Sequence, residues 1–298
     1  MRYALTHIAA AALSASCAAL MCSAAPALAQ DNVDPIAGDG GLVEQACGTT
    51  REQVRVDSTS VAGMSACFTL TASTGWVAVN ITGSYGVVNN LTVPVAVAFK
   101  LPGGAVYFQQ TIHPGQVKSV DVDRRGSTIV ELQVTPVATP NGASTATLAP
   151  SGQAPTYVTL RSAGRINPGH VMRLSWSGVK LSALDRNSGF NDRLDASFKV
   201  VPALDSSQCV SLESAAYPGT YLTMNTAGAV SVLTNPDTRA ATWCPTAAAT
   251  TPTGVYLANA TNQARILTAG ANATVTTATT RTTESVWFTD HALALPGK

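Results

Sequence analysis

The stretch LDASFKVVPALDSSQCVSLESAAYPGTYLTM (194–224) closes one run of alternating apolar residues on an Asp and a Phe. It then crosses a cysteine and opens a second run built like the first. Working outward from it, three openings align: YVTLRS (157–162), CVSLES (209–214) and GVYLAN (254–259). Each leads to a turn, INPGHVMRL, AYPGTYLTM or TNQARILTA, and then to a second short strand, SGVKLSAL, GAVSVLTN or ANATVTTA. The copies close on DASF, AATW and ESVW, so that Phe198, Trp243 and Trp287 recur at spacings of 45 and 44 residues.

One such copy has an apolar face it cannot bury alone, whereas three around a pseudo-threefold axis can. Three tandem copies of roughly four short strands therefore predict a β-trefoil; a propeller, the alternative, uses more blades. Val158 and Leu160, Val210 and Leu212, and Val255 and Leu257 are expected to line the barrel. Phe198, Trp243 and Trp287 are expected to fill its base.

Upstream, ACFTLTA, GWVAVNITG, VPVAVAFK, AVYFQQTI, VKSVDV and TIVELQVTP alternate or run apolar over strand lengths, with Gly, Pro and Asn between them. That pattern predicts a small antiparallel β-sandwich over 30–136, of no recognised family, with Trp76, Tyr85, Tyr107 and Phe108 expected in its core. The uncharged stretch TPVATPNGASTATLAPSGQAPT predicts a linker or surface crossing at 137–155. The fold class expected is thus all-β, with a C-terminal trefoil over 156–298.

The chain starts with a basic residue, Arg2, an apolar run over 8–21 and a small-x-small site at Ala27-Leu28-Ala29. This predicts a signal peptide at 1–29 and a secreted protein, in the extracellular or periplasmic space, with no membrane span after cleavage. Four cysteines then remain, Cys47, Cys67, Cys209 and Cys244. They permit three pairings, of which proximity favours Cys47–Cys67 and Cys209–Cys244. No CxxC pair is present, so no metal site is expected. A net charge of +1 with 12% charged residues gives no basic field for nucleic acid. Four N-x-T sequons, at Asn80, Asn90, Asn259 and Asn272, matter only in a host that glycosylates them.

The segments VTLRS, NPGHVMRL, DASFKVVPAL, CVSLES, YPGTYLTM and ATWC together resemble the arabinose-binding domain of fungal and actinobacterial α-L-arabinofuranosidase B, the family-42 carbohydrate-binding module. The resemblance covers about 156–295. It implies a pocket for an arabinofuranose side chain in each lobe, with a His just after the YLR strand and an Asp opening the DATF closure. A carboxylate suits vicinal hydroxyls, and an imidazole can donate or accept beside them. Here the His position holds Leu174, Met224 and about Thr268, and the Asp position holds Asp195, Ala240 and Glu284. The turn tyrosine is kept as Tyr217, followed by Tyr221, and His170 lies four residues before the His position. Asp195, Glu284, Tyr217, Tyr221 and His170 are therefore the candidate ligand-binding residues. Asp195 reads equally as a turn cap, and His170 as a turn histidine.

Glycosidases need two carboxylates on one cleft. The N-terminal unit offers Glu52, Asp57, Asp121, Asp123 and Glu131 in no such arrangement, and no nucleophile elbow, HExxH, P-loop or GxGxxG is present. No intrinsic catalysis and no cofactor are expected; any enzyme link is as an accessory to an α-L-arabinofuranosidase. Two functions remain. One is a secreted carbohydrate-binding protein recognising arabinose side chains of plant or cell-wall polysaccharides. The other is an exported structural or protein-binding protein with a degenerate trefoil, its partner held through the N-terminal unit.

Overall fold

A computed structural model of the chain describes residues 33, 35–121, 124–137, 148 and 156–297. The expected signal peptide, Asp123 and nearly all of the expected linker lie outside these residues.

Six strands close a barrel: Thr156–Ser162, Phe198–Pro202, Val210–Ser214, Thr242–Ala247, Gly254–Asn259 and Trp287–His291. Each runs antiparallel to the next, and the last pairs back onto the first. Three hairpins cap one end: Val171–Ser175 with Gly178–Ser182, Thr220–Met224 with Val230–Thr234, and Asn262–Ala269 with Val275–Ala278. Bridges between Lys180 and Thr274 and between Ala229 and Thr276 tie the hairpins together. This is a β-trefoil, and its pseudosymmetry is visible in register. Phe198 faces Ser214, Trp243 faces Asn259 and Trp287 faces Ser162, each closing aromatic meeting the last residue of an opening strand. Leu160, Leu212 and Leu257 are fully buried beside the three aromatics, as the alternation requires; Val255 is only partly buried.

The N-terminal half is an antiparallel sandwich made from one folded-over sheet. The strand Gly75–Asn89 belongs to both layers. Its first part pairs with Ala37–Gly38 and Ser127–Val134, and its second with Val54–Ser58 and Val117–Ser119. Register shifts at Ala78/Ile81 and Ile81/Ser84 let it bend between the layers. Gly83 sits in that bend at φ +62°, where a Cβ would fall 2.5 Å from Thr59 Oγ1. The core is aliphatic around Phe68 and Phe99. The expectation that Trp76, Tyr85, Tyr107 and Phe108 fill it is corrected. Tyr85 and Phe108 are exposed, and Trp76 and Tyr107 are half-buried on outward faces. Valine, isoleucine and leucine from the same strands already fill the space between layers.

Both disulfides expected from proximity are present, Cys47–Cys67 and Cys209–Cys244. The Cys47–Cys67 bridge joins positions 20 apart and ties the chain ahead of Val54–Ser58 to the strand Ser65–Leu70. Chain-entropy arithmetic for a loop of that size gives about 3 kcal/mol of stabilisation. A Cys47→Ser, Cys67→Ser variant is expected to unfold in urea with a free energy lower by that amount; an unchanged midpoint would refute it.

Asn32–Lys298 form one compact unit, so sandwich and trefoil share a packed seam. A six-residue helix, Phe190–Asp195, is wedged there, with Phe190 and Leu194 buried against Ala98 and Val130 of the sandwich and Ala215 and Ala216 of the barrel. Backbone N–H of Phe190 donates to Gln109 Oε1 at 2.7 Å, and Asn187 Oδ1 accepts from Val137 N at 2.7 Å. The distal seam is closed by the C-terminal residues. Pro296 O accepts from Tyr107 Oη at 2.7 Å and Lys100 Nζ at 3.2 Å.

Candidate functional site

The first lobe builds its acceptor on the seam helix. Phe190 and Leu194, four residues apart, bury one helix face, and Asp192 in the first turn complements the helix dipole. Asp195 is the last helical residue and stands beside the hairpin strand Val171–Ser175. Arg173 of that strand lies 3.9 Å from Asp195 Oδ2 and bonds Asp192 Oδ1 at 2.5 Å and Ser182 Oγ at 3.0 Å. Burial pushes the Asp195 carboxyl up to about 6; Arg173 opposes that shift and Asp192 adds to it. The result is a half-buried carboxylate, next to a guanidinium already committed elsewhere, at the edge of the first lobe.

The other two copies use the same position differently. In the second, Ala240 replaces the carboxylate, and its carbonyl accepts from Met224 N and Asn259 Nδ2. In the third, Glu284 sits in a single 3₁₀ turn, Thr283–Ser285. Its carboxylate accepts from Arg165 N at 2.7 Å and from Ile166 N at 3.4 Å, holding the first lobe's turn. Gly164 precedes those amides because a Cβ there would collide with Glu284 Oε2.

The indole of Trp243 donates to Leu222 O and that of Trp287 to Leu267 O, which fixes the equivalence of the hairpins. Counting from those carbonyls, the third His-position residue is Ala269, not Thr268. Leu174, Met224 and Ala269 are all buried in the trefoil core. Thr268 lies one residue earlier and bonds Ile266 O and Ser285 Oγ. Tyr217 is exposed, and Tyr221 pairs across strands with Glu213; burial and Glu213 push its phenol up. His170 is half-buried with Nδ1 3.3 Å from Pro168 O. No hydrogen bond or ion pair among the described residues joins any two of Asp195, Glu284, Tyr217, Tyr221 and His170.

Several residues escaped the sequence reading. Arg173 and Asp192 surround Asp195 but lie on a hairpin strand and in the short helix, where each reads locally as solvated charge. Trp176, at the tip of the first-lobe hairpin, is 98% exposed; its signal was a Trp bracketed by serines between two alternating strands. Among the described residues no group of three His, Cys, Asp or Glu could hold a metal ion, and no helix is long and apolar enough to cross a membrane.

The closed six-strand barrel with its hairpin cap places the C-terminal half among the β-trefoils. More particularly, residues 160–290 match the family model of the alpha-L-arabinofuranosidase B (ABFB) domain, so the trefoil is a domain of that kind, and the sandwich lies outside the match. No curated protein matches the sequence. Among solved structures, an arabinofuranosidase complexed with arabinofuranosyl-alpha-1,2-xylobiose superposes with a TM-score of 0.44 at 16% identity, over 74% of this chain and 52% of that one. A GH54 α-L-arabinofuranosidase soaked with a cyclic sulfate inhibitor gives 0.43 at 16%, over 74% and 53%. The chain thus spans about half the length of these enzymes. A Macrolepiota procera ricin B-like lectin in complex with lactose gives 0.37 at 13%, over 47% and 99%. At such TM-scores these likenesses say nothing of what this chain binds.

Proposed function

We propose that this chain is an exported carbohydrate-binding protein whose trefoil recognises arabinofuranose side chains of plant or cell-wall polysaccharides. The match of 160–290 to the ABFB domain carries the reading. Asp195, half-buried at the edge of the first lobe, supports it as the acceptor for a sugar diol. Two disulfides suit an oxidising compartment, as the expected signal peptide does. Calorimetry of arabinoxylan oligosaccharides against the mature chain tests it. Heat is expected from the wild type, with at least tenfold weaker binding in Asp195→Ala; no heat from any arabinose-containing ligand would overturn the reading.

The Asp195 carboxyl also sets a pH dependence. Its folded value of about 6 lies above its ordinary value of 3.8. Ionisation is thus disfavoured in the folded chain, and stability falls as pH rises from about 4 to 6 and is flat above. An Asp195→Asn variant, which has no such penalty, is expected to gain stability relative to wild type across that window. Sugar binding through the carboxylate is expected to strengthen across the same window, since the ionised group is the better acceptor. Affinities at pH 4.5 and 7.5 check this, and equal values would remove Asp195 from the site.

A specific observation favours the second reading, a scaffold that binds protein. Leu174, Met224 and Ala269 occupy the three His positions and pack into the core, so no lobe keeps that ligand. Failure of the calorimetric test would leave this reading standing.

A further inference from the structure

Register places three polar side chains in a row on the outer face of the barrel. Tyr157 pairs with Lys199, and Lys199 pairs with Glu213, across three adjacent strands. A fourth strand continues the row, with Tyr221 opposite Glu213. The neighbouring residues Val158, Val200 and Leu212 point inward and are buried, as strand alternation requires. An ion pair is thus bracketed by two tyrosines.

The trefoil does not need this row. Its pseudo-threefold counterparts are Cys209, Cys244 and Ala258 in one copy, and Gly254, Phe288 and Arg161 in the other. The first is a disulfide beside a methyl group, and the second a guanidinium over an aromatic ring. Only the row that faces the sandwich carries an acid, a base and a phenol together.

A cleft of about 400 Å³ opens over it, lined by Lys100 and Tyr107 of the sandwich, by Pro296, whose carbonyl is bonded to both, and by Pro218 of the trefoil. That volume lies at the lower end of small-ligand sites, about 300–1,000 Å³. The polar groups within are incompletely used. The Tyr157 hydroxyl has no hydrogen-bond partner among the described residues. Glu213 Oε1 accepts from Gly219 N at 2.7 Å, but Oε2 stands 3.6 Å from Lys199 Nζ, an ion pair too long to be a hydrogen bond. A hydroxyl seated beside that pair, at about 2.8 Å from each, would donate to Glu213 and accept from Lys199, with an adjacent hydroxyl in reach of the same pair. Burial of the cleft walls agrees, pushing the phenols of Tyr107 and Tyr157 up and the ammonium of Lys100 down.

We propose that this cleft is a second saccharide site, holding one sugar residue whose vicinal hydroxyls bridge Glu213 and Lys199 beside the Tyr157 ring. The proposal rests on the carbohydrate-binding reading but not on Asp195, which does not line the cleft. A polysaccharide could then be held at both the first lobe and the seam.

The test is calorimetric titration of the mature chain with an arabinoxylan oligosaccharide, comparing wild type with Glu213→Gln, Tyr157→Phe and Asp195→Ala. Glu213→Gln keeps an oxygen for Gly219 N but loses the charge, and Tyr157→Phe removes only a hydroxyl; melting temperature confirms that each variant is folded. The wild type is expected to show two sites. Glu213→Gln is expected to weaken one at least tenfold and Tyr157→Phe to weaken the same one, leaving the Asp195-dependent site intact. Binding lost in Glu213→Gln but untouched by Asp195→Ala would uphold the seam site and sink the first-lobe pocket. Binding that depends on Asp195 and ignores both seam variants would overturn the seam site alone. Absence of binding in the wild type would overturn both.

Discussion

Replacing Glu131 with alanine is expected to lower the unfolding free energy by about 3–5 kcal/mol, the range for a buried ion pair broken on one side. Glu131 is 2% exposed and lies on the sandwich strand Ser127–Val134, facing the trefoil. Arg193 of the seam helix, 1% exposed, meets it with both terminal nitrogens, at 2.5 and 3.1 Å. The same guanidinium donates to Leu293 O at 2.7 Å, Ser188 O at 2.9 Å and Gln133 Oε1 at 3.2 Å. Arg186 stands 3.6 Å from the carboxylate and 3.6 Å over the Trp76 ring. Burial lowers the Arg186 guanidinium to about 10, partly offset by Glu131. Without Glu131, two buried guanidinium groups face each other with no anion between them. Because the network spans the seam, the loss falls on the contact between sandwich and trefoil. The wild type is expected to unfold in urea in one transition, with tryptophan fluorescence and far-UV circular dichroism coincident. Glu131→Ala is expected to separate the two probes. A Glu131→Leu, Arg193→Met double variant should recover only part of the loss, because Arg186 stays buried without its anion. Adding Arg186→Met, which leaves no ion of the network behind, should recover most of it, since replacing buried ions by apolar groups is often near neutral. Coincident transitions at an unchanged midpoint in Glu131→Ala would show that the network does not hold the halves together.

Glu131 also shows where a sequence stops being legible. In TIVELQVTP the alternation puts Glu131 and Gln133 on the polar side of a strand, and an outward polar side ordinarily meets water. Here it meets a second folded half, and nothing local in the strand encodes that. The seam helix was equally hidden, because six residues are too few to display helical period and its stability comes from tertiary burial of Phe190 and Leu194. The trefoil was legible because its information is repeated: three openings, three turns and three closing aromatics give the same answer independently. The disulfide pairing was favoured by proximity, which suffices when each loop closes within its own half. The candidate site was read less well. The DASF motif marked Asp195, but Arg173 and Asp192, which set its charge and reach, come from another strand and from the helix. The third His position slipped by one residue, because the hairpin opening at Asn262 carries a register shift against Ala258 and Asn259 that a fixed repeat length cannot show. The row Tyr157, Lys199 and Glu213 spans two copies of the repeat, so no single copy displays it.

Truncating Trp243 to alanine is expected to cost about 3–5 kcal/mol, the range for deleting a large aromatic from a core that cannot collapse. Trp243 is fully buried, packs in the cluster shared by all three lobes, and its indole N–H satisfies Leu222 O at 2.9 Å. Two losses therefore add, the ring and the hydrogen bond. A Trp243→Phe variant separates them. It keeps most of the ring but frees the Leu222 carbonyl, which alone costs about 1–3 kcal/mol when buried. The first copy already carries a phenylalanine at this position, Phe198, so the fold accommodates a ring without a donor there. Trp243→Phe is accordingly expected to fold and to lose less than Trp243→Ala loses, read from urea midpoints at constant slope. The barrel closes only when its last strand pairs with its first, so damage in the second lobe should loosen all three. Hydrogen exchange in Trp243→Ala is therefore expected to speed up in the strands Thr156–Ser162 and Trp287–His291 as well as around residue 243. Exchange confined to the second lobe would mean that the three copies fold as separable units rather than as one barrel.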